Sequence, residues 1–129
     1  MHHASDDQAD GATEQRARDR LSARDDLPRL PWLAAGQPHD AFTLIRQALW
    51  RANTDRDALD LPDDLLAAIT LLDAARAELD QLEAGLLFVA RAEGLTWAQV
   101  ARPLGLRTAQ AAQQRHDRVT ARLDAKEGP

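Results

Sequence analysis

Residues 94 to 123 read GLTWAQVARPLGLRTAQAAQQRHDRVTARL, and this stretch decides the predicted fold. Gly94 is suited to end one helix, because glycine readily adopts the left-handed backbone found just after a helix. Thr96 then caps a short helix of about two turns, which Gly105 ends. Thr108 caps a further helix that continues to the end of the quoted stretch. A short helix, a tight glycine turn and a second helix predict a helix-turn-helix module, which with its lead-in extends from about residue 83 to residue 123.

The spacing of apolar residues within this module predicts how its two helices pack. Val100, Leu104 and Leu106 form an apolar wedge between them, and Trp97 packs at the base of the unit. Ala101 is small at the position where the two helices approach each other most closely. The wedge leaves the amide and cationic side chains of the last helix facing outward.

Those outward side chains match the chemistry of base and phosphate recognition. A glutamine pairs at two points with an adenine edge in the major groove, and arginines contact phosphates or guanine. The predicted DNA-binding residues are Arg102, Arg107, Thr108, Ala109, Gln110, Gln113, Gln114 and Arg118. Glutamine and arginine are also ordinary helix formers on a solvated face, and modules of this shape also bind proteins. A non-enzymatic adaptor that docks on a protein such as a sigma factor or RNA polymerase is therefore the alternative prediction.

The segment before the module carries a leucine seam typical of paired helices. Pro62 with Asp63 and Asp64 predicts a helix start, and the apolar spacing of three and four residues continues to Glu93. Gly85 is the position at which this run is expected to bend or divide. The predicted dimerisation residues are Leu65, Ile69, Leu72, Leu79, Leu82 and Leu86.

A continuous helix over this segment needs cover from elsewhere. At the helical rise it would be about 45 Å long, which is long for a chain of this size. Either a helical hairpin with the first helix or a second copy of the chain covers the seam. We predict a homodimer, since a two-fold pair also places two recognition helices on successive major grooves about 34 Å apart.

The remaining sequence completes a predicted all-α helical bundle with a long central helix and the C-terminal helix-turn-helix. Asp40 caps a first helix of about twelve residues, from 41 to 52. Residues 1 to about 27 are polar, charged and poor in large apolar side chains, which predicts a largely disordered segment with at most a transient helix at about 13–24. Residues 28–38 contain three prolines and a glycine, which predict an irregular, proline-rich connection. The predicted organisation is a disordered tail at 1–27 and a helical domain at 28–129, with core and dimerisation helices at 38–93 and the helix-turn-helix at 94–123.

Composition agrees with a helical protein and excludes several classes of function. Hydrophobic residues make up 44% of the 129 residues and aromatics only 4%, and the apolar share is mostly Ala and Leu. The absence of cysteine excludes disulfides and thiolate metal sites. No apolar run approaches the length of a membrane span and no secretion signal is evident, so we expect a cytoplasmic, nucleoid-associated protein without membrane contact.

Charge and motif content favour a binding protein over an enzyme. The net charge is −5, but nine arginines face seventeen acids up to residue 90, whereas seven Lys or Arg face four acids from residue 91 onward. The chain has no dinucleotide, phosphate-loop, zinc-protease or hydrolase motif, and its four histidines are not spaced as a metal cluster. We expect no catalytic residue, metal, cofactor or small-molecule substrate, and double-stranded DNA as the partner.

The run RAEGLTWAQVARPLGLRTAQAAQQRHDR, residues 91 to 118, resembles an actinobacterial helix-turn-helix type with a GxSWxxIAxxLGVxSRQAAxxR core. The preceding ELDQLEAGLLFVAR is similar to the segment that leads into that core. The family comprises small proteins described as heat-shock transcriptional regulators, and it is more distantly similar to region 4 of sigma factors. The resemblance covers about residues 61 to 123 and implies a DNA-binding transcriptional regulator. The chain departs from the pattern at Thr108-Ala109, where the family usually has Ser-Arg, and at His116, where an aromatic is common.

Overall fold

The computed structural model describes residues 3–23 and 39–127 of the chain. All regular secondary structure in these ranges is helical, which confirms the predicted all-α class. The six helices are α1 (His3–Ser22), α2 (Ala41–Thr54), α3 (Leu61–Thr70), α4 (Leu72–Ala92), α5 (Trp97–Ala101) and α6 (Ala109–Glu127). None of these helices is both long and apolar enough to cross a membrane. The chain divides into two units, Met1–Arg76 and Ala77–Pro129, which we call unit 1 and unit 2 and describe separately.

Unit 1 is built by α1, α2 and α3, which pack on one another around a core of small and branched apolar side chains. Asp40 caps α2 as predicted, because its carboxylate accepts the backbone N–H of Thr43 at 3.1 Å. The core residues are Ala17, Leu21, Ala41, Leu44, Ala48, Ala67, Ala68, Leu71 and Ala75. Alanine dominates this set, so the three helices are held by close approach more than by large side chains.

The N-terminal helix α1 corrects the prediction of a disordered tail over residues 1–27. Ala17 and Leu21 lie one turn apart and are buried in the core of unit 1, which offsets the cost of ordering the segment. Arg20 reaches the buried carboxylate of Asp64, with Nε 2.8 Å from Oδ1. Residues 1–2 and 24–38, which include part of that predicted tail and the proline-rich connection, lie outside the described residues.

The predicted long central helix is divided, and the division falls at Leu71 rather than at Gly85. The N–H of Leu71 bonds the carbonyl of Ala68 at 3.1 Å, a tightened turn that ends α3, and α4 begins at the next residue. Leu71 is fully buried in the core of unit 1. Gly85 lies inside α4 without breaking it. The break follows from tertiary burial of Leu71, at a point where the sequence has neither glycine nor proline.

Unit 2 contains the remaining part of α4 together with α5 and α6, and the last two helices pack closely on each other. Its core is Leu87, Val100, Ala101 and Ala112, with Trp97, Leu104 and Leu106 partly buried against it. Of the predicted wedge residues, Val100 lies in this core, and Leu104 and Leu106 pack against it. Helix α5 ends at Ala101 instead of about Leu104, since Pro103 has no N–H to bond the carbonyl of Gln99.

Candidate nucleic-acid interface

The turn between α5 and α6 is closed by a glycine with a left-handed backbone conformation, which residues with a side chain rarely adopt. Gly105 has φ +72°, and its N–H bonds the carbonyl of Arg102 at 3.0 Å. The next N–H, from Leu106, bonds the carbonyl of Ala101 at 2.9 Å. This pair of bonds is the Schellman motif, which satisfies carbonyls that the end of a helix leaves open. Gly94, with φ +96°, closes the end of α4 in the same way.

Threonine side chains cap the two helices that follow these glycines. The Thr96 hydroxyl accepts the N–H of Gln99 at 3.1 Å, while the Gln99 side chain accepts the N–H of Thr96 at 2.8 Å, a complete capping box. The Thr108 hydroxyl accepts the N–H of Ala111 at 3.0 Å at the start of α6. Both caps match the predicted helix starts. The entry angle of α6 is thus set by local bonds.

An aromatic cluster packs α5 against α6 at the base of unit 2. The rings of Trp97 and His116 lie 5.4 Å apart and are tilted by 43°. The Arg91 guanidinium lies 5.1 Å from the centre of the Trp97 ring, in a cation–π contact. Among the described residues, the buried Nδ1 of His116 has no hydrogen-bond partner. The histidine ring therefore serves as a packing group against Trp97.

Two arginines of α6 form ion pairs with acids of α4 within unit 2. Arg115 pairs with Glu83 at 2.9 Å, and Arg122 pairs with Asp80 at 3.1 Å, each through two hydrogen bonds. The hydrogen bonds and negative charge of Glu83 raise the pKa of the Arg115 guanidinium above its usual value. Asp80 raises the pKa of Arg122 in the same manner. Both arginines are therefore paired with carboxylates of the same unit.

Sequence reasoning missed both of these ion pairs. The partners are separated by 32 and 42 residues along the chain, so no local spacing connects them. The available signal was a pair of acids three residues apart, Asp80 and Glu83, on the helix that precedes the module. Acids at that spacing share one helix face and present two carboxylates to a neighbour.

All eight predicted DNA-binding residues are exposed in unit 2. Gln110, Gln113 and Gln114 share one outward face of α6, because their spacings of three and four residues repeat the helical turn. Thr108 caps α6 with its hydroxyl. Within the described residues, no ion pair is formed by Arg102, Arg107 or Arg118. The exposed set is Arg102, Arg107, Thr108, Ala109, Gln110, Gln113, Gln114 and Arg118.

The excess of positive charge from residue 91 onward is smaller than the count of charged residues in the sequence indicates. Two of its seven cations, Arg115 and Arg122, are neutralised by acids that lie before residue 91. Asp117 adds a negative charge to the middle of the outward face of α6. Of the other five cations, Arg102, Arg107 and Arg118 are among the predicted DNA-binding residues. Over the described residues, no group of side chains is arranged to hold a metal ion.

The predicted dimerisation residues do not all lie on one continuous helix. Leu65, Ile69 and Leu72 belong to unit 1, where Leu65 is half-buried and the other two are exposed. Leu79, Leu82 and Leu86 belong to unit 2 and are all exposed. The break at residue 71 places Leu65 and Ile69 on α3 and the other four residues on α4.

Comparison of the chain with protein families, with curated protein sequences and with solved structures finds no match.

Proposed function

We propose that unit 2 binds double-stranded DNA as a transcriptional regulator, with α5, the glycine turn and α6 acting as a helix-turn-helix motif. The observation that carries this proposal is the difference between the two sides of α6, one packed within unit 2 and the other exposed. Ala112 and Val119 are buried and Arg115 is engaged by Glu83, whereas Gln110 and Gln113 are free on the opposite side. A helix held firmly on one side and lined with amides on the other is the form that enters a major groove.

The available charges are placed to position such a helix on the phosphate backbone. Arg107 immediately precedes the Thr108 cap, so the residue lies next to the positive N-terminal end of α6. Arg102 lies in the turn that precedes α6, and Arg118 lies about two and a half turns after the first residue of α6. Phosphate contacts from these arginines fix register and orientation, and the glutamines then read base edges. The motif resemblance at residues 91–118 supports the same function.

A titration of the full chain on mixed genomic DNA fragments, at low and at physiological salt, tests this proposal. We expect binding that weakens steeply with added salt, because each phosphate contact releases condensed counterions. At the preferred sequence, Gln110→Ala or Gln113→Ala costs about 1–3 kcal/mol and reduces discrimination there. The matched control is Gln81→Ala, an exposed glutamine of α4, which leaves DNA binding unchanged.

The second candidate function is that of an adaptor that docks on a protein of the transcription machinery. Asp117, central on the outward face of α6, favours it, because a carboxylate there opposes a phosphate backbone. The net charge of −5 points the same way. An adaptor binds no DNA at any salt concentration. The same titration therefore separates the two functions. If DNA is the partner, Asp117→Asn should strengthen DNA binding, because it removes a carboxylate that repels phosphates. If the partner is a protein, the substitution should produce no DNA binding.

A further inference from the structure

The exposed side of α4 in unit 2 carries a continuous stripe of apolar side chains. Leu79, Leu82, Leu86 and Val89 recur at spacings of three, four and three residues, so they share one face of the helix. They are 55%, 65%, 70% and 56% exposed, respectively. Single apolar residues on a surface need no explanation, but a contiguous apolar face marks a contact surface.

Gly85 lies beside this stripe, in the interior of α4. It lowers the stability of the helix, and no contact in the described chain explains why a glycine is present. A helix-interior glycine is less favourable than alanine by about 1 kcal/mol. A Cβ at Gly85 would meet no described atom within 4 Å, and the residue does not have a positive φ. A glycine at this position allows the close approach of a second helix backbone.

We propose that a second copy of the same stripe covers it, packed antiparallel about a two-fold axis between Leu82 and Leu86. The spacing of three, four and three is identical when read in either direction. Reversal of one copy therefore sets Leu79 opposite Val89, and Leu82 opposite Leu86, in a self-complementary contact. The same rotation brings the two copies of Gly85 near each other on one flank, where the missing side chains let the helices approach.

The charges on the other flank favour a second copy over a charged partner. The two-fold axis brings the two copies of Glu83 towards each other, and bare carboxylates there would repel. Arg115 neutralises Glu83 at 2.9 Å, and Arg122 neutralises Asp80 at 3.1 Å, within the same unit. Two copies consequently approach without uncompensated like charge, whereas a basic partner finds no free carboxylate in either pair.

The size of the stripe sets the expected strength of the contact. Four partly exposed side chains provide less than the roughly 800 Å² per partner of a standard stable interface. We therefore expect a reversible dimer in the micromolar range and not an obligate one. The contact lies wholly within unit 2, and it does not depend on whether α6 binds DNA.

Disulfide trapping in the full chain tests the antiparallel arrangement directly, because the protein has no cysteine of its own. A mixture of Leu79→Cys chains and Val89→Cys chains should form cross-linked dimers on mild oxidation. Each variant alone should not, since ten residues of helix separate identical positions by about 15 Å, beyond the reach of a disulfide. Self-linking of either variant alone, or the absence of any cross-link in the mixture, would overturn the proposal.

A glycine substitution provides an independent test with a matched control. Gly85→Ala should raise the melting temperature of the monomer and weaken self-association by about tenfold or more, because the added methyl groups force the helices apart. Gly11→Ala, in the interior of α1 and also free of contacts within 4 Å, should raise the melting temperature and leave association unchanged. Sedimentation equilibrium gives the association constants. If Gly85→Ala associates as tightly as the wild type, or if the wild type is monomeric through the micromolar range, the inference fails.

Discussion

The guanidinium of Arg115 in α6 meets the carboxylate of Glu83 in α4 at two points, with Nε 3.1 Å from Oε2 and Nη2 2.9 Å from Oε1. Arg122 repeats this contact with Asp80 about two turns further along α6. Two planar contacts at that separation fix the rotation of α6 about its own axis within unit 2. Together with the burial of Ala112 and Val119, they keep Gln110 and its neighbours facing solvent.

Arg115→Gln should destabilise unit 2 and turn α6 on its axis. The arginine is 38% exposed and the carboxylate of Glu83 only 17%, so the loss is that of a partly screened pair, about 1 kcal/mol. Thermal unfolding followed by circular dichroism measures the change. The control is Arg76→Gln, whose pair with Asp73 is largely exposed and should contribute almost nothing. Equal effects of the two substitutions would show that the pair on α6 has no special role.

Ala101→Glu should unfold the packing of α5 on α6. Ala101 is 2% exposed and belongs to the core of unit 2 with Ala112, so a charged side chain there is buried without a partner. Ala98→Glu, on the exposed side of the same short helix, is the matched control and should be tolerated. A lower melting temperature in the first variant alone supports the register. Retention of the wild-type melting temperature by Ala101→Glu would contradict it.

Gly105→Ala should destabilise the turn before α6 by about 1–2 kcal/mol, because an L-residue with a Cβ is strained at φ +72°. There is open space around the position, so the cost is that of the backbone and not of a clash. Gly105→Asn should recover a large part of the loss, since asparagine tolerates the left-handed region better. Chemical denaturation of the three proteins measures the order. An alanine variant as stable as the wild type would mean that the turn relaxes into another conformation.

Arg20→Ala should loosen α1 from unit 1. The substitution leaves the carboxylate of Asp64, which is 1% exposed, without its 2.8 Å arginine partner. Because Arg20 itself is 38% exposed, we expect about 1–2 kcal/mol, less than for a fully buried pair. Arg16→Ala, on the exposed side of the same helix, should have little effect. Hydrogen exchange within α1 reports the loosening, and equal exchange in both variants would contradict the docking of this helix.

The sequence was sufficient for features that depend on a few neighbouring residues. The caps at Asp40, Thr96 and Thr108 and the two glycine turns were all predicted, because capping is a contact between residues two to five positions apart. The membership of Val100 in the core followed from the same periodicity.

Features that depend on distant contacts were not predicted. Helix α1 has few large apolar residues, and its order comes from the fit of Ala17 and Leu21 into a core made by other helices. The break at Leu71 has no local marker, and the periodicity of three and four runs through it unchanged. The ion pairs of α6 join residues more than thirty positions apart. In each case the decisive partner lies elsewhere in the chain.

The measurement that tests DNA binding by α6 most directly is the salt dependence of the affinity for mixed-sequence duplex DNA. Three phosphate contacts, from Arg102, Arg107 and Arg118, predict a slope of log affinity against log salt of about −2.7 for each bound copy. Arg107→Ala should flatten that slope by about one unit, while the control Arg46→Ala, an exposed arginine of unit 1, should leave it unchanged. Absence of binding at low salt, or an unchanged slope in Arg107→Ala, would contradict the account.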